Sequence, residues 1–240
     1  MQLIKDKWTQ NDAAQLNVYL ESFKNEDRID WARRIINTSR PILAISSKKL
    51  GEITKEISKG NFISLLELSP RGYYETVIIK GGLIGKIKDL KTKLFYLDLY
   101  AEEAENWAEC DMLKLQITKK DFDIWFDKAL SYAKNEKTFV RRTAYIICFS
   151  FLDDKDYCKR TLELLNQSGC EKEYYVNMAM AWLLAECFIK QRELALEFFK
   201  NNNLNAAATN FAVSKCRQSY RVTQEDKDML LSYKKAKNNL

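Results

Sequence analysis

A chain of 240 residues with 46% apolar side chains can bury a sizeable core, and that size suits one large domain or one repeat array. Its 7 Gly and 2 Pro are too few turn residues for an all-β protein and leave no collagen-like or linker-like tract, so helices are the default. The formal charge of +6, from 39 basic and 33 acidic residues, permits a polyanionic partner where the basic residues cluster but does not demand one.

The opening MQLIKDKWTQNDAAQ has no apolar h-region, and no window approaches the roughly 18 uninterrupted apolar residues of a membrane span. A soluble, cytosolic protein is expected. Apolar residues recur at helical spacing through Leu16, Tyr19, Leu20 and Phe23, through Leu94, Phe95, Leu97 and Tyr100, and through Phe122, Trp125, Phe126 and Leu130. Breaks are expected at SRPILAISSKKL near residue 40, LSPRGYY at 68–74, KGGLIG at 80–85, NQSGC at 166–170 and KNNNLNA at 200–206. This pattern predicts about ten helices joined by short turns, with a frayed tail in YKKAKNNL from Tyr233 whose lysines add at most nonspecific attraction.

Histidine is absent. That removes the usual zinc ligand, the Ser-His and Cys-His nucleophile pairs and the usual general base near neutral pH. Any chemistry falls to carboxylates, Lys, Tyr or thiols. The six cysteines are widely spaced without a CxxC pair, and four sit inside apolar helical runs; they read as reduced core thiols. No metal or organic cofactor is implied.

The second half is repetitive. TFVRRTAYIICFSF and YYVNMAMAWLLAECF align with Val140 opposite Val176, an offset of 36 residues, and ATNFAVSKCRQSY follows with Ala212 opposite Ala179, an offset of 33. Two helices per unit at this spacing fall near the roughly 34 to 47 residues of helical solenoid repeats. The fold expected is all-α, a superhelix or solenoid of HEAT-like repeats spanning residues 1–240 as one domain, with 235–240 frayed. A solenoid of this kind presents a concave groove, which suits a long ligand.

On the helix predicted over NWAECDMLKL, Trp107 and Asp111 are i and i+4, on one face and about 6 Å apart at Cβ. In FVRRTAYIICF the adjacent Arg141 and Arg142 point about 100° apart, so one is expected to be solvated and the other directed inward. Trp182 lies in MAMAWLLAECF with Glu186 one turn on. Read from spacing alone, both tryptophans serve equally as core residues, Asp111 as a solvated or capping acid, and one arginine as an ion-pair partner.

The segments PILAISSKKLGEITKEI (41–57), NWAECD (106–111), FVRRTAYIICF (139–149), YVNMAMAWLLAECFIK (175–190) and NFAVSKCRQSYRVTQEDKDML (210–230) together resemble the DNA alkylation repair family, the AlkD-like DNA glycosylases built from HEAT-like repeats. The likeness covers roughly residues 10 to 235 with order and spacing kept. It departs from the family's pattern at Ala44, where the early PxLG stretch has glycine, and at Phe211, where relatives often carry lysine.

The resemblance implies a glycosylase of base excision repair that hydrolyses the N-glycosidic bond of cationic N3- or N7-alkylated purines in duplex DNA, without flipping the lesion into a pocket. It places the family's WxxxD pattern on Trp107 and Asp111, its groove arginine on Arg142 and its second groove tryptophan on Trp182. Asp111 is then the catalytic carboxylate. Arg141, Lys114, Lys215 and Arg217 join the candidate DNA contacts, with Lys48, Lys49 and Arg221 as further basic residues. The expected partner is duplex DNA containing alkylated bases, bound by a cytoplasmic, nucleoid-associated monomer with no membrane and no metal. Two rivals remain: a noncatalytic HEAT-repeat protein that recognises distorted or branched DNA, and a protein-binding HEAT scaffold.

Overall fold

A computed structural model describes residues 1–236, and among them there are fourteen α-helices and no strand. The chain forms two compact units, Met1–Gln116 and Ile117 onward. The helix count exceeds the expected ten because several helices, such as Ile63–Glu67 and Gln224–Met229, are too short to display a period.

The first unit contains α1 (Gln10–Glu21), α2 (Ile29–Ile36), α3 (Ser47–Ile57), α4 (Ile63–Glu67), α5 (Tyr74–Ile84), α6 (Leu90–Glu103) and α7 (Trp107–Asp111). Local caps set most starts. Thr9 and Asp12 form a reciprocal capping box on α1, Ser46 accepts from Lys49 N at the start of α3, and Asp89 accepts from Thr92 N at the start of α6. Leu16, Leu20, Ile53, Ile57, Ile79 and Leu83 are buried at 2% exposure or less, each contributing about 1.5–3 kcal/mol of apolar transfer.

Between α2 and α3 the chain crosses the unit without helix, as SRPILAIS predicts. Its backbone N–H groups still need partners. Leu43 N lies 3.1 Å from both Glu75 carboxylate oxygens and Ile45 N 3.3 Å from one of them. Glu75 is 1% exposed; burial pushes its carboxyl above the ordinary value, and the donated N–H groups offset part of that shift. Within this crossing Ala44 adopts φ 56°, the left-handed region that glycine occupies without penalty.

KGGLIG breaks the helix only at its last residue, where Gly85 caps α5. Gly81 and Gly82 lie inside α5, where a Cβ would stand 2.9 Å from the Tyr100 hydroxyl and from Thr54 Cγ2, respectively. Close helix packing, rather than a turn, selects these glycines.

The second unit contains α8 (Phe122–Ala133), α9 (Thr138–Cys148), α10 (Lys155–Gln167), α11 (Tyr174–Lys190), α12 (Arg192–Lys200), α13 (Ala206–Gln218) and α14 (Gln224–Met229). Helix α11 packs against both α9 and α13. That explains its nearly all-round apolarity, with Val176, Ala179, Met180, Leu183, Leu184 and Cys187 completely buried. The aligned positions Val140, Val176, Ala179 and Ala212 are all buried at 1% or less, so the repeat offsets do mark equivalent core positions. All six cysteines are free thiols; five are buried and Cys170 is exposed.

The end of the chain is docked further than the expected fraying allows. Tyr233 stacks on Phe199 with centroids 6.0 Å apart, and Lys235 Nζ donates to the carbonyls of Asn202 and Leu204 and to the Asn202 side chain at 2.6–3.0 Å. The rest of the predicted frayed tail, 237–240, lies outside the described residues.

Candidate active site

The stretch around NWAECD folds as a short helix, not as part of a long one. Helix α6 ends where Ala104 turns to ψ 131°, and Asn106 restarts the chain by accepting from Glu109 N at 3.0 Å. The five residues of α7 then divide by face. Ala108, Glu109 and Cys110 are buried, while Trp107 and Asp111, one turn apart, are half-buried.

The buried face is clamped by charge. Glu109, with 0% exposure, meets Arg40 Nε at 3.1 Å and accepts from Glu105 N at 2.9 Å. Its own carbonyl receives the Tyr100 hydroxyl at 3.0 Å. Burial raises the Glu109 carboxyl above its ordinary value, against the pull of the Glu105 N–H and of Arg40. Glu105 accepts from the Thr38 hydroxyl, Ser39 N and Arg40 N. Against the upward push of partial burial, Thr38 and Arg40 hold its carboxyl below the ordinary value. Two acids of the stretch are thus scaffold, fixing α7 to residues 38–40.

Trp107 is fixed from the other side: its indole N–H donates to the carbonyl of Ile35, in the last turn of α2, at 2.9 Å. Trp107 and Asp111 open on a cleft of about 350 Å³ whose wall also includes Trp31, Ala44, Tyr74 and Glu75. Burial, then the charges of Glu75, Glu109 and Asp111, push the Tyr74 phenol well above its ordinary value, so it faces the cleft as a neutral hydroxyl. Trp31 is 50% exposed, with the Arg28 guanidinium 5.0 Å from its ring centroid. Sequence reasoning missed Trp31 and Tyr74. The available signal for Trp31 was its place among charged residues in IDWARRII, a helix whose buried residues are Ile29 and Ala32.

In the second unit neither adjacent arginine is solvated, contrary to the expectation for one of them. Arg141 makes a two-point pair with Glu171 at 2.7 and 3.2 Å and donates to the carbonyls of Asn135 and Glu136 just past α8. Arg142 is 5% exposed and donates to the Tyr175 carbonyl. A three-methylene stem ending in a guanidinium lets two side chains that leave the helix about 100° apart each reach acceptors of their own. Trp182 is 37% exposed, its ring against Phe149 with centroids 4.5 Å apart. Glu186, one turn on, pairs with Arg221. On α13 Lys215 is half-buried and Arg217 exposed. In the first unit Lys114 and Lys48 are exposed, whereas Lys49 lies 4.3 Å from the Phe23 ring centroid and 3.7 Å from Glu52.

No group of His, Cys, Asp or Glu side chains among the described residues is arranged to hold a metal ion, and no described helix is long and apolar enough to cross a membrane. Fold and cleft together define an all-α helical-repeat protein that presents a carboxylate beside fixed aromatic rings. The family model described as DNA alkylation repair enzyme matches residues 16–215, most of the chain and all of the elements just described around Asp111. The chain belongs to that family, which makes it an enzyme of DNA alkylation repair with DNA as its substrate. Comparison with curated proteins gives no significant match.

Proposed function

We propose that the protein is a DNA glycosylase that hydrolyses the N-glycosidic bond of cationic N3- or N7-alkylated purines in duplex DNA, with Asp111 as the reactive carboxylate. The observation that carries this reading is the division of labour among the acids of one stretch. Glu105 and Glu109 hold the scaffold, while Asp111 opens on an aromatic-walled cleft beside Trp107.

Alkylation at a ring nitrogen gives the purine a positive charge and makes it a good leaving group without protonation. A chain without histidine therefore lacks nothing the leaving group needs. As the bond lengthens, positive charge develops on the deoxyribose. A carboxylate fixed beside it stabilises that charge electrostatically and orients the attacking water on the sugar. The Trp107 ring, held by Ile35, attracts the same charge through its face, an effect of about 0.5–2 kcal/mol. In the second unit Trp182 offers an exposed indole for DNA, and Lys215 and Arg217 are the proposed basic contacts; Arg142, buried against the Tyr175 carbonyl, would act by positioning rather than by touching DNA.

The test is release of 7-methylguanine or 3-methyladenine from methylated duplex by the wild-type chain. Release supports excision. Duplex binding without release assigns the chain to the noncatalytic reading, and absence of duplex binding leaves the protein-binding scaffold.

A further inference from the structure

Helix α6 carries apolar residues on two sides. Leu97, Tyr100 and Ala101 are buried in the first unit, whereas Phe95 is 57% and Leu99 51% exposed. Phe95, which spacing groups with Leu97 and Tyr100, therefore does not serve the core. Phe95 and Leu99 stand one turn apart. Among the described residues the other exposed large apolar pair at that spacing on a helix is Trp31 and Ile35, which belongs to the Asp111 cleft. A contiguous apolar patch, unlike scattered single residues, marks an interaction surface.

Beside Phe95 and Leu99 runs a groove of about 420 Å³, walled by Leu66 of α4, Lys80 and Ile84 of α5, and Tyr96 and Glu103 of α6. It shares no residue with the Asp111 cleft. On α5, Ile78 lines that cleft while Lys80 lines the groove, and residues two apart on a helix point about 200° apart. Helix α5 thus separates the two surfaces.

Charge is ordered along the same face of α6. Lys91 lies one turn before Phe95 and Glu102 three residues after Leu99, and both are exposed. At about 100° per residue, positions 91, 95, 99 and 102 fall within about 80° of arc. Lys91 and Glu102 are about 16 Å apart along the axis, too far to pair within one helix. Glu103 already meets Lys80 at 2.9 Å, so Glu102 is the acid on the outer line.

The face therefore reads basic, apolar, apolar, acidic, and it is complementary to itself in reverse. A second α6 laid antiparallel, with a two-fold axis passing near Leu97, sets Lys91 of each helix level with the partner's Glu102 and Phe95 level with the partner's Leu99, to within about 1.5 Å. A two-fold pair makes each of these contacts twice. A peptide of one charge would match only one end of the stripe; a second copy matches all of it.

We propose that the outer face of α6 is the contact of a homodimer, two chains pairing antiparallel about Leu97 with both Asp111 clefts left open. Burial of Phe95 and Leu99 against the partner's groove supplies the affinity. The Lys91–Glu102 pairs, at the rim, set orientation and register more than strength. The sequence reading expects a monomer, and the α6 face is the reason to depart from it. Nothing in the pairing depends on the reaction carried out at Asp111.

The experiment is sedimentation equilibrium of the full chain without DNA. The wild type is expected to approach twice the single-chain mass at about 10 to 100 µM, the regime of a small interface. Lys91→Glu alone and Glu102→Lys alone each place like charges opposite one another at both contacts, and each is expected to weaken association about tenfold or more. Mixed in equal amounts, the two variants regain opposite charges at both contacts, so a heterodimer of wild-type strength is expected. A chain carrying both substitutions is expected to recover in the same way. A damaged fold gives no such rescue. Phe95→Ser is expected to leave a single chain with an unchanged circular dichroism spectrum. A wild type that stays at single-chain mass up to about 500 µM would overturn the proposal and leave the face to a different partner. Dimerisation untouched by Phe95→Ser would move the contact elsewhere on the chain, and failure of the mixed variants to associate would overturn the antiparallel register.

Discussion

The indole N–H of Trp107 donates to the main-chain carbonyl of Ile35, 72 residues earlier, at 2.9 Å. The bond ties the start of α7 to the end of α2 and fills one of the carbonyls that a helix C-terminus leaves open. It also fixes the plane of the ring that shares a face with Asp111. Trp107→Phe keeps the aromatic face but removes the donor. Urea unfolding is expected to show a loss of about 1 kcal/mol, and single-turnover base release to slow about tenfold with duplex affinity little changed, since about 1.4 kcal/mol of misplacement is a factor of ten in rate. Unaltered release would mean that the tether serves the fold alone.

Ala44 sits in the wall of the same cleft at φ 56°. A side chain in that region costs about 1–2 kcal/mol, while glycine costs about 0.5–1 kcal/mol in chain entropy. Ala44→Gly is therefore expected to stabilise the chain by about 0.5–1 kcal/mol, a rise of roughly 1–4 °C in Tm. Calorimetry checks this; a fall in Tm contradicts the strain account.

Glu75 supplies a pH test. Burial raises its carboxyl above the ordinary 4.5, so the folded chain holds this proton more tightly than the unfolded chain. The corresponding stabilisation is complete below the ordinary value and is lost as pH rises through the raised folded value. Glu75→Gln removes the titration. The stability advantage of wild type over this variant is expected to be largest near about pH 4.5 and to shrink toward pH 8, measured by chemical unfolding at several pH values. A gap that widens with pH contradicts the sign.

Arg141 and Trp182 are expected to separate stability from binding. Arg141 holds Glu171 and two carbonyls near the end of α8. Removing it as Arg141→Gln is expected to cost about 1.5–3 kcal/mol, the scale of hydrogen bonds to a charged group. Trp182→Ala loses one aromatic contact with Phe149, about 1 kcal/mol, yet is expected to weaken DNA binding about fivefold or more, as loss of an exposed stacking surface does. Melting curves and duplex titrations on both variants check the assignment, and the reverse pattern would exchange the two roles.

Much of this organisation was legible in the chain. Helical spacing, scarce glycine and proline, and the alignment of Val140 with Val176 revealed an all-α repeat protein, and the four-residue step from Trp107 to Asp111 placed both on one face. What escaped depended on long-range partners. KGGLIG reads locally as a break, because Tyr100 and Thr54, which need the glycines' missing side chains, lie 19 and 28 residues away in sequence. Spacing does not separate Arg141 from Arg142, and Arg141 is seen to be held only when Glu171 arrives 30 residues later. Glu105 and Glu109 were indistinguishable from Asp111 by type; Thr38 and Arg40, on a crossing with no helical period, assign them to the scaffold. Trp31 and Tyr74 reach the Asp111 cleft only through the packing of α2 and α5.

The central claim is that Asp111 is the reactive carboxylate. The most direct measurement is single-turnover release of 7-methylguanine from methylated duplex at saturating protein, comparing wild type with Asp111→Asn. The substitution preserves the size of the side chain and removes its charge. Release by the variant is expected to be slower by about 100-fold or more, the scale of losing one electrostatic stabiliser of a transition state, with duplex affinity retained. Equal rates of release would contradict the account.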